Sequence, residues 1–110
     1  MGGKFLGKIQ TFRVGFGGYD DAMIGYWFTL SYGGGYGVGG GKGPWTTDIT
    51  SSTKWTEADR SRQLEEVMRD LWKFLKQAKK REVGQLVGVP VEVEIVGGTL
   101  KSWRVLEEVL

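Results

Sequence analysis

One strongly amphipathic segment sits between two sets of strand-like runs, and this order limits the chain to few architectures. Thr56 precedes Glu57, Ala58 and Asp59, which places a hydroxyl cap and acidic side chains at a helix start. Leu64, Val67, Met68, Leu71, Phe74, Leu75 and Ala78 then recur at helical spacing. Lys76, Lys79, Lys80 and Arg81 follow where cations suit the negative end of the helix, and Gly84 is positioned to help end it. The spacing predicts one helix from residue 57 to about residue 79, burying Leu64, Met68, Leu71 and Leu75.

Before that helix, residues 4–16 are apolar, β-branched and aromatic, and Gly17-Gly18-Tyr19-Asp20-Asp21 supplies turn chemistry. In residues 23–32, Ile24, Tyr26, Phe28, Leu30 and Tyr32 share one face by strict alternation, so the two runs read as a hairpin. Gly33-Gly34-Gly35 turns the chain into a glycine-diluted third strand around Tyr36 and Val38. Residues 42–55 read as an ordered connecting loop anchored by Trp45 and Trp55. After the helix, a helical turn near residues 83–87 leads to Val89, Val91, Val93 and Ile95, which alternate with Pro90, Glu92 and Glu94. Gly97-Gly98 reverses the chain into residues 99–106, with Glu94 and Lys101 available for cross-strand pairing. Alternation there puts Leu100, Arg104 and Leu106 on one face and Trp103 on the other. The expected fold is a single α+β domain over residues 1–110: an antiparallel β-sheet of about five strands with two hairpins, and one long amphipathic helix packed on one face.

Composition narrows the chemistry. The chain has no histidine and no cysteine, which removes the commonest general base, the thiol nucleophile and most transition-metal ligands. A non-enzymatic binder without cofactor or metal is the expectation. Twelve of the 19 glycines fall within residues 15–43, threaded with seven aromatic residues and closing on Lys42. Bare backbone, flat rings and a cation together suit a nucleotide-like small molecule. Residues 1–55 carry five basic and three acidic side chains and residues 56–110 balance ten against ten, so there is no basic tail or stripe for duplex phosphates. No apolar run approaches the roughly 20 residues needed to span a bilayer, and the opening MGGKFLGKIQTF lacks the apolar core of a signal peptide, so cytoplasm is the expected compartment. Five tryptophans exceed what so small a core needs and predict a homo-oligomer, a dimer or larger.

Sharper motifs fail on context. Gly35-Tyr36-Gly37-Val38-Gly39-Gly40 matches G-x-G-x-x-G, but neither a helix start nor a βαβ unit surrounds it. Gly41-Lys42 does not complete a Walker A loop, because Tyr36 and Gly43 occupy positions that need glycine and a hydroxyl. The remaining ligand reading of this stretch is a set of backbone N–H groups able to form an anion nest beside Lys42, set against plain turns on an edge strand. Glu92 and Glu94 read as the solvated face of a strand, and Asp20-Asp21 as turn residues. Arg60 and Arg62 sit at the dipole-unfavourable end of the helix, where they meet either an anionic ligand or neighbouring carboxylates. Arg104 has the same two readings, phosphate capture or a bridge to a carboxylate.

Three stretches, GFGGYDDAMIGYWFTLSYGGGYGVG, KWTEADR and GVPVEVEIVGGTLKSWRVLEEVL, together resemble a family of small phage and prophage proteins, the anti-Thoeris sponges. Those proteins sequester glycocyclic ADP-ribose, the signal made by bacterial TIR-domain defence enzymes, without cleaving it. The resemblance implies a β-sheet with a helix, assembly as dimers or larger oligomers in the host cytoplasm, and in some members separate sites for cyclic trinucleotides. By that resemblance Arg60 and Arg104 contact phosphate or ribose, and Phe16, Tyr19 and Met23 contact adenine or ribose, with Trp45 and Trp103 as further candidates. Arg13 and Lys42 join them only as cations near the same strands. Two other classes fit the composition: a phage single-stranded nucleic-acid binder that stacks bases on its aromatic rings, and an oligomeric structural or interaction protein whose tryptophans form the interface.

Overall fold

A computed structural model describes residues 2–110. Five antiparallel strands form one sheet in the order β3-β2-β1-β4-β5. The strands are β1 (Gly3–Gly17), β2 (Met23–Tyr32), β3 (Tyr36–Lys42), β4 (Pro90–Val96) and β5 (Thr99–Val105), and the helix α1 is Glu57–Ala78. The α+β class, the antiparallel sheet and the single long helix are as the sequence predicts. The long central strand joins the two halves of the chain. Its first residues pair with β4, Gly3 opposite Ile95 through Lys8 opposite Pro90, and the rest pairs with β2, ending at Gly17 opposite Met23. The sheet curls, so that its edge strands β3 and β5 face each other across one cleft.

Alternation places Tyr26, Phe28 and Leu30 of β2 and Val91, Val93 and Ile95 of β4 in the core. Two bulges adjust the pattern. Ile9 and Phe12, three residues apart, both reach the core because an irregularity between Ile9 and Thr11 absorbs Gln10 and switches the strand's faces. A second irregularity, opposite Glu94 and Ile95, does the same at Lys101. Leu100, Trp103 and Val105 therefore pack against the core, while Arg104 stands on the outer face opposite Glu92. This corrects the expectation that Leu100 and Arg104 share a face: uninterrupted alternation cannot foresee the extra residue. The register sets Glu94 opposite Ser102, and Lys101, the bulged residue, still reaches Glu94 at 3.8 Å.

Thr56 caps α1 with a reciprocal capping box, its hydroxyl accepting from the Asp59 amide while the Asp59 carboxylate accepts from the Thr56 amide. The helix ends at Lys79, which adopts a left-handed conformation (φ 58°) while the Lys80 amide reaches back to the Leu75 carbonyl. Lys79, rather than Gly84, makes the stop. The buried face is Val67, Leu71 and Ala78 flanked by Phe74 and Leu75. Leu64 and Met68, expected inside, are 39% and 65% exposed. The cause is Phe74, whose ring meets Phe12, Tyr26 and Trp103 at centroid distances of 6.0, 5.5 and 4.8 Å. Turning that ring into the sheet rotates Met68 and Trp72 outward. Leu71→Ala should cost about 2–5 kcal/mol, whereas Glu66→Ala, at an exposed position of the same helix, should change stability by no more than about 0.5 kcal/mol. Urea unfolding of the two variants beside the native chain measures both.

Candidate functional site

The glycine run from residue 35 to residue 43 is largely strand. β3 pairs along β2 from Tyr36 opposite Tyr32 to Lys42 opposite Tyr26. Its glycines are dictated by what lies beneath them. A Cβ on Gly40 would stand 2.8 Å from the Phe28 ring, and one on Gly41 would enter the Trp27 ring. Bare backbone here lets an edge strand lie directly on aromatic faces. Amides engaged in that ladder are not free to form the anion nest considered from the sequence.

The cleft between β3 and β5 has a volume of about 420 Å³ and is lined by Tyr26, Phe28, Val38, Lys42, Trp103, the glycines of β3 and residues 98–102. Its floor is aromatic, with Trp103 5.1 Å from Phe28 and Tyr26 stacked 6.2 Å from Phe28. Lys42 supplies a cation at one end, while Lys101, which also lines the cleft, has its ammonium 3.8 Å from Glu94. At the Lys42 end is a polar group of three: the Tyr26 hydroxyl donates to Asp70 at 2.8 Å, and the Lys42 ammonium reaches the same carboxylate oxygen at 3.0 Å. Burial, together with the hydrogen bond to Asp70 and its negative charge, pushes the Tyr26 phenol well above its ordinary range.

A second depression, of about 290 Å³, is lined by Met23, Lys42, Gly43, Trp45, Gln63 and Glu66. Met23 and Trp45 form a backbone bridge, and Tyr19 sets its ring edge-on to Trp45 at 6.4 Å. Lys42 lines both hollows. Five residues singled out from the sequence, Tyr19, Met23, Lys42, Trp45 and Trp103, thus belong to one connected zone.

The other four lie elsewhere. Phe16 is 60% exposed near the end of β1, opposite Ile24. Arg13, on the other face of that strand, donates to the Phe16 carbonyl at 2.6 Å. Arg60 bridges to Glu57 at 3.0 Å, donates to the Thr47 carbonyl and lies 4.7 Å over the Trp55 ring, tying the connecting loop to the helix. Its neighbour Arg62 pairs with Asp59. Arg104 is held on the outer face between Glu92 at 3.3 Å and Glu108 at 3.0 Å, and the hydrogen bonds it donates keep the Glu108 carboxyl below the usual carboxylate range. For both arginines the structure supplies the carboxylate partner.

Two members of the zone, Asp70 and Lys101, were not singled out as site residues. Lys101 was visible only as a cross-strand partner, and Asp70 carries no local signal, because its approach to Lys42 depends on how the helix crosses the sheet. Among the described residues no group of three or more His, Cys, Asp or Glu side chains gathers as metal ligands would, and no described helix is long and apolar enough to cross a membrane. Comparison with protein family models, with curated proteins and with solved structures finds no match to the chain.

The raised Tyr26 pKa has a testable sign. In the unfolded chain the phenol ionises near pH 10, while the fold holds it neutral, so its stabilising contribution is complete below that pH and is lost progressively as pH rises from there toward the folded-state pKa. Unfolding free energy measured at about pH 9 and about pH 11 should fall less steeply for Tyr26→Phe than for the native chain.

Proposed function

We propose that this protein binds a small signalling nucleotide and sequesters it without cleaving it, with the cleft between β3 and β5 as the site. The observation that carries the reading is the pairing of an aromatic floor, Phe28 and Trp103, with the Lys42 ammonium at one end of the same open cleft. Rings and bare edge backbone suit a base and a ribose, and the ammonium suits phosphate oxygens. Lys42 keeps this capacity although Asp70 takes one of its N–H groups, because an ammonium has three donors. The resemblance to anti-Thoeris sponges supplies the ligand class, a cyclic ADP-ribose-type signal, with homo-oligomeric assembly in the host cytoplasm. Such a protein works by equilibrium: tight binding lowers the free signal, and the effector downstream stays off.

The test is direct. Purified protein is incubated with a pool of cyclic ADP-ribose isomers and cyclic oligonucleotides, washed and denatured, and what it releases is identified by mass spectrometry. The expected outcome is stoichiometric recovery of an unchanged ligand. Lys42→Gln should weaken binding by about 1.5–3 kcal/mol, the range for a hydrogen bond to a charged group, while Arg104→Ala, on the opposite face of the sheet, should leave affinity unchanged. Turnover of the ligand would overturn sequestration. Retention only of single-stranded nucleic acid, with a steep salt dependence, would replace it with the nucleic-acid reading.

A further inference from the structure

We propose that the exposed stripe Leu64, Met68 and Trp72 of α1 is the docking surface for a second copy of this chain, helix against helix and antiparallel, about a two-fold axis at Met68. The three side chains are 39%, 65% and 68% exposed and recur every four residues, so they form one apolar seam about 12 Å long beside the buried face.

The charge pattern of the helix selects the occupant. The helix carries four acidic and two basic side chains over residues 57–67 and three basic and one acidic over residues 68–78, with Lys79, Lys80 and Arg81 following its end. A helix so polarised is complementary to itself only when reversed: parallel packing sets like charge on like, whereas antiparallel packing sets acid on base and opposes the two macrodipoles. With Met68 on the axis, Leu64 lies at the level of Trp72 of the second copy, and Glu57 at the level of its Lys79. Glu65 and Arg69, which bond to each other at 2.7 Å within one helix, lie on the same flank of the seam and can exchange partners across it. Beside Trp72 is a hollow of about 310 Å³ lined by Arg69, Lys73, Lys76 and Glu107, which gives Glu65 of the second copy a predominantly basic seat. This inference does not depend on the ligand reading, and the contact would put two ligand zones into one assembly.

Because the chain has no cysteine, a single introduced thiol reports its own neighbour. Met68→Cys should form a disulfide-linked dimer rapidly under mild oxidation, and Glu66→Cys, exposed on the other side of the same helix, should not. The native chain should sediment as a dimer or larger, and Met68→Lys should sediment as a smaller species with an unchanged far-ultraviolet spectrum. Glu65→Arg and Arg69→Glu should each associate poorly alone and form a mixed dimer when combined. A native chain that sediments as a monomer at micromolar concentration, whether because the seam serves a different protein or none, would overturn the proposal. Equal cross-linking from residues 66 and 68, or failure of the two charge variants to pair, would also overturn it.

Discussion

The insertion of Phe74 between Phe12, Tyr26 and Trp103 is the contact on which most of this structure turns. These partners come from β1, β2 and β5, so one helical ring ties the central strand to both sides of the sheet. Trp103 in turn lies 5.1 Å from Phe28, which draws β5 toward the face that β3 covers. The curl that opens a cleft between the two edges, and the helix rotation that leaves Met68 and Trp72 outside, follow from the same packing. Aromatic rings do this well because each buries a large area and tolerates several contact geometries.

The fold was legible in the sequence to the extent that it depends on local periodicity. β2 alternates without interruption from Ile24 to Tyr32, and its three buried apolar side chains, Tyr26, Phe28 and Leu30, are on the face that the pattern names. Thr56 and Asp59 announce the helix start by chemistry that needs no tertiary partner. What stayed hidden depends on single residues acting at a distance. An extra residue at Gln10 or Lys101 inverts everything beyond it, and nothing in either side chain marks it as a bulge. The helix stripe is wider than the face the sheet can cover, and Phe74 decides which edge is left over.

The site was less legible, for a related reason. Glycine among aromatics signals close approach of backbone to a flat surface, but not what that surface is. At Gly40 it is the chain's own Phe28, and at Gly41 its own Trp27. Arginines at a helix start signal an anion, but at Arg60 and Arg62 the anions are Glu57 and Asp59. Lys42 is different. The Asp70 carboxylate beside it is shared with the Tyr26 hydroxyl, which fixes the ammonium where both hollows meet and still leaves it 44% exposed. A cation with one donor fixed on a single carboxylate is the better anchor for a ligand than Arg104, whose guanidinium is bonded to two.

The curl also bears on how a site of this kind would hold its ligand. β3 and β5 are both sheet edges, and edge strands have one row of backbone groups with no ladder partner. A nucleotide seated between them would touch both rows and the aromatic floor together, so it would favour the curled sheet over any flatter form. Binding energy would then appear as resistance to unfolding that grows with ligand concentration, as mass action requires of any ligand specific for the native state. The bare glycine backbone of β3 matters here a second time: a side chain at Gly40 would have to occupy space now held by the Phe28 ring that floors the cleft, while Gly39 and Gly41 back onto Thr29 and Trp27. The close packing that explains those glycines without a ligand is therefore also what keeps the cleft open to receive one.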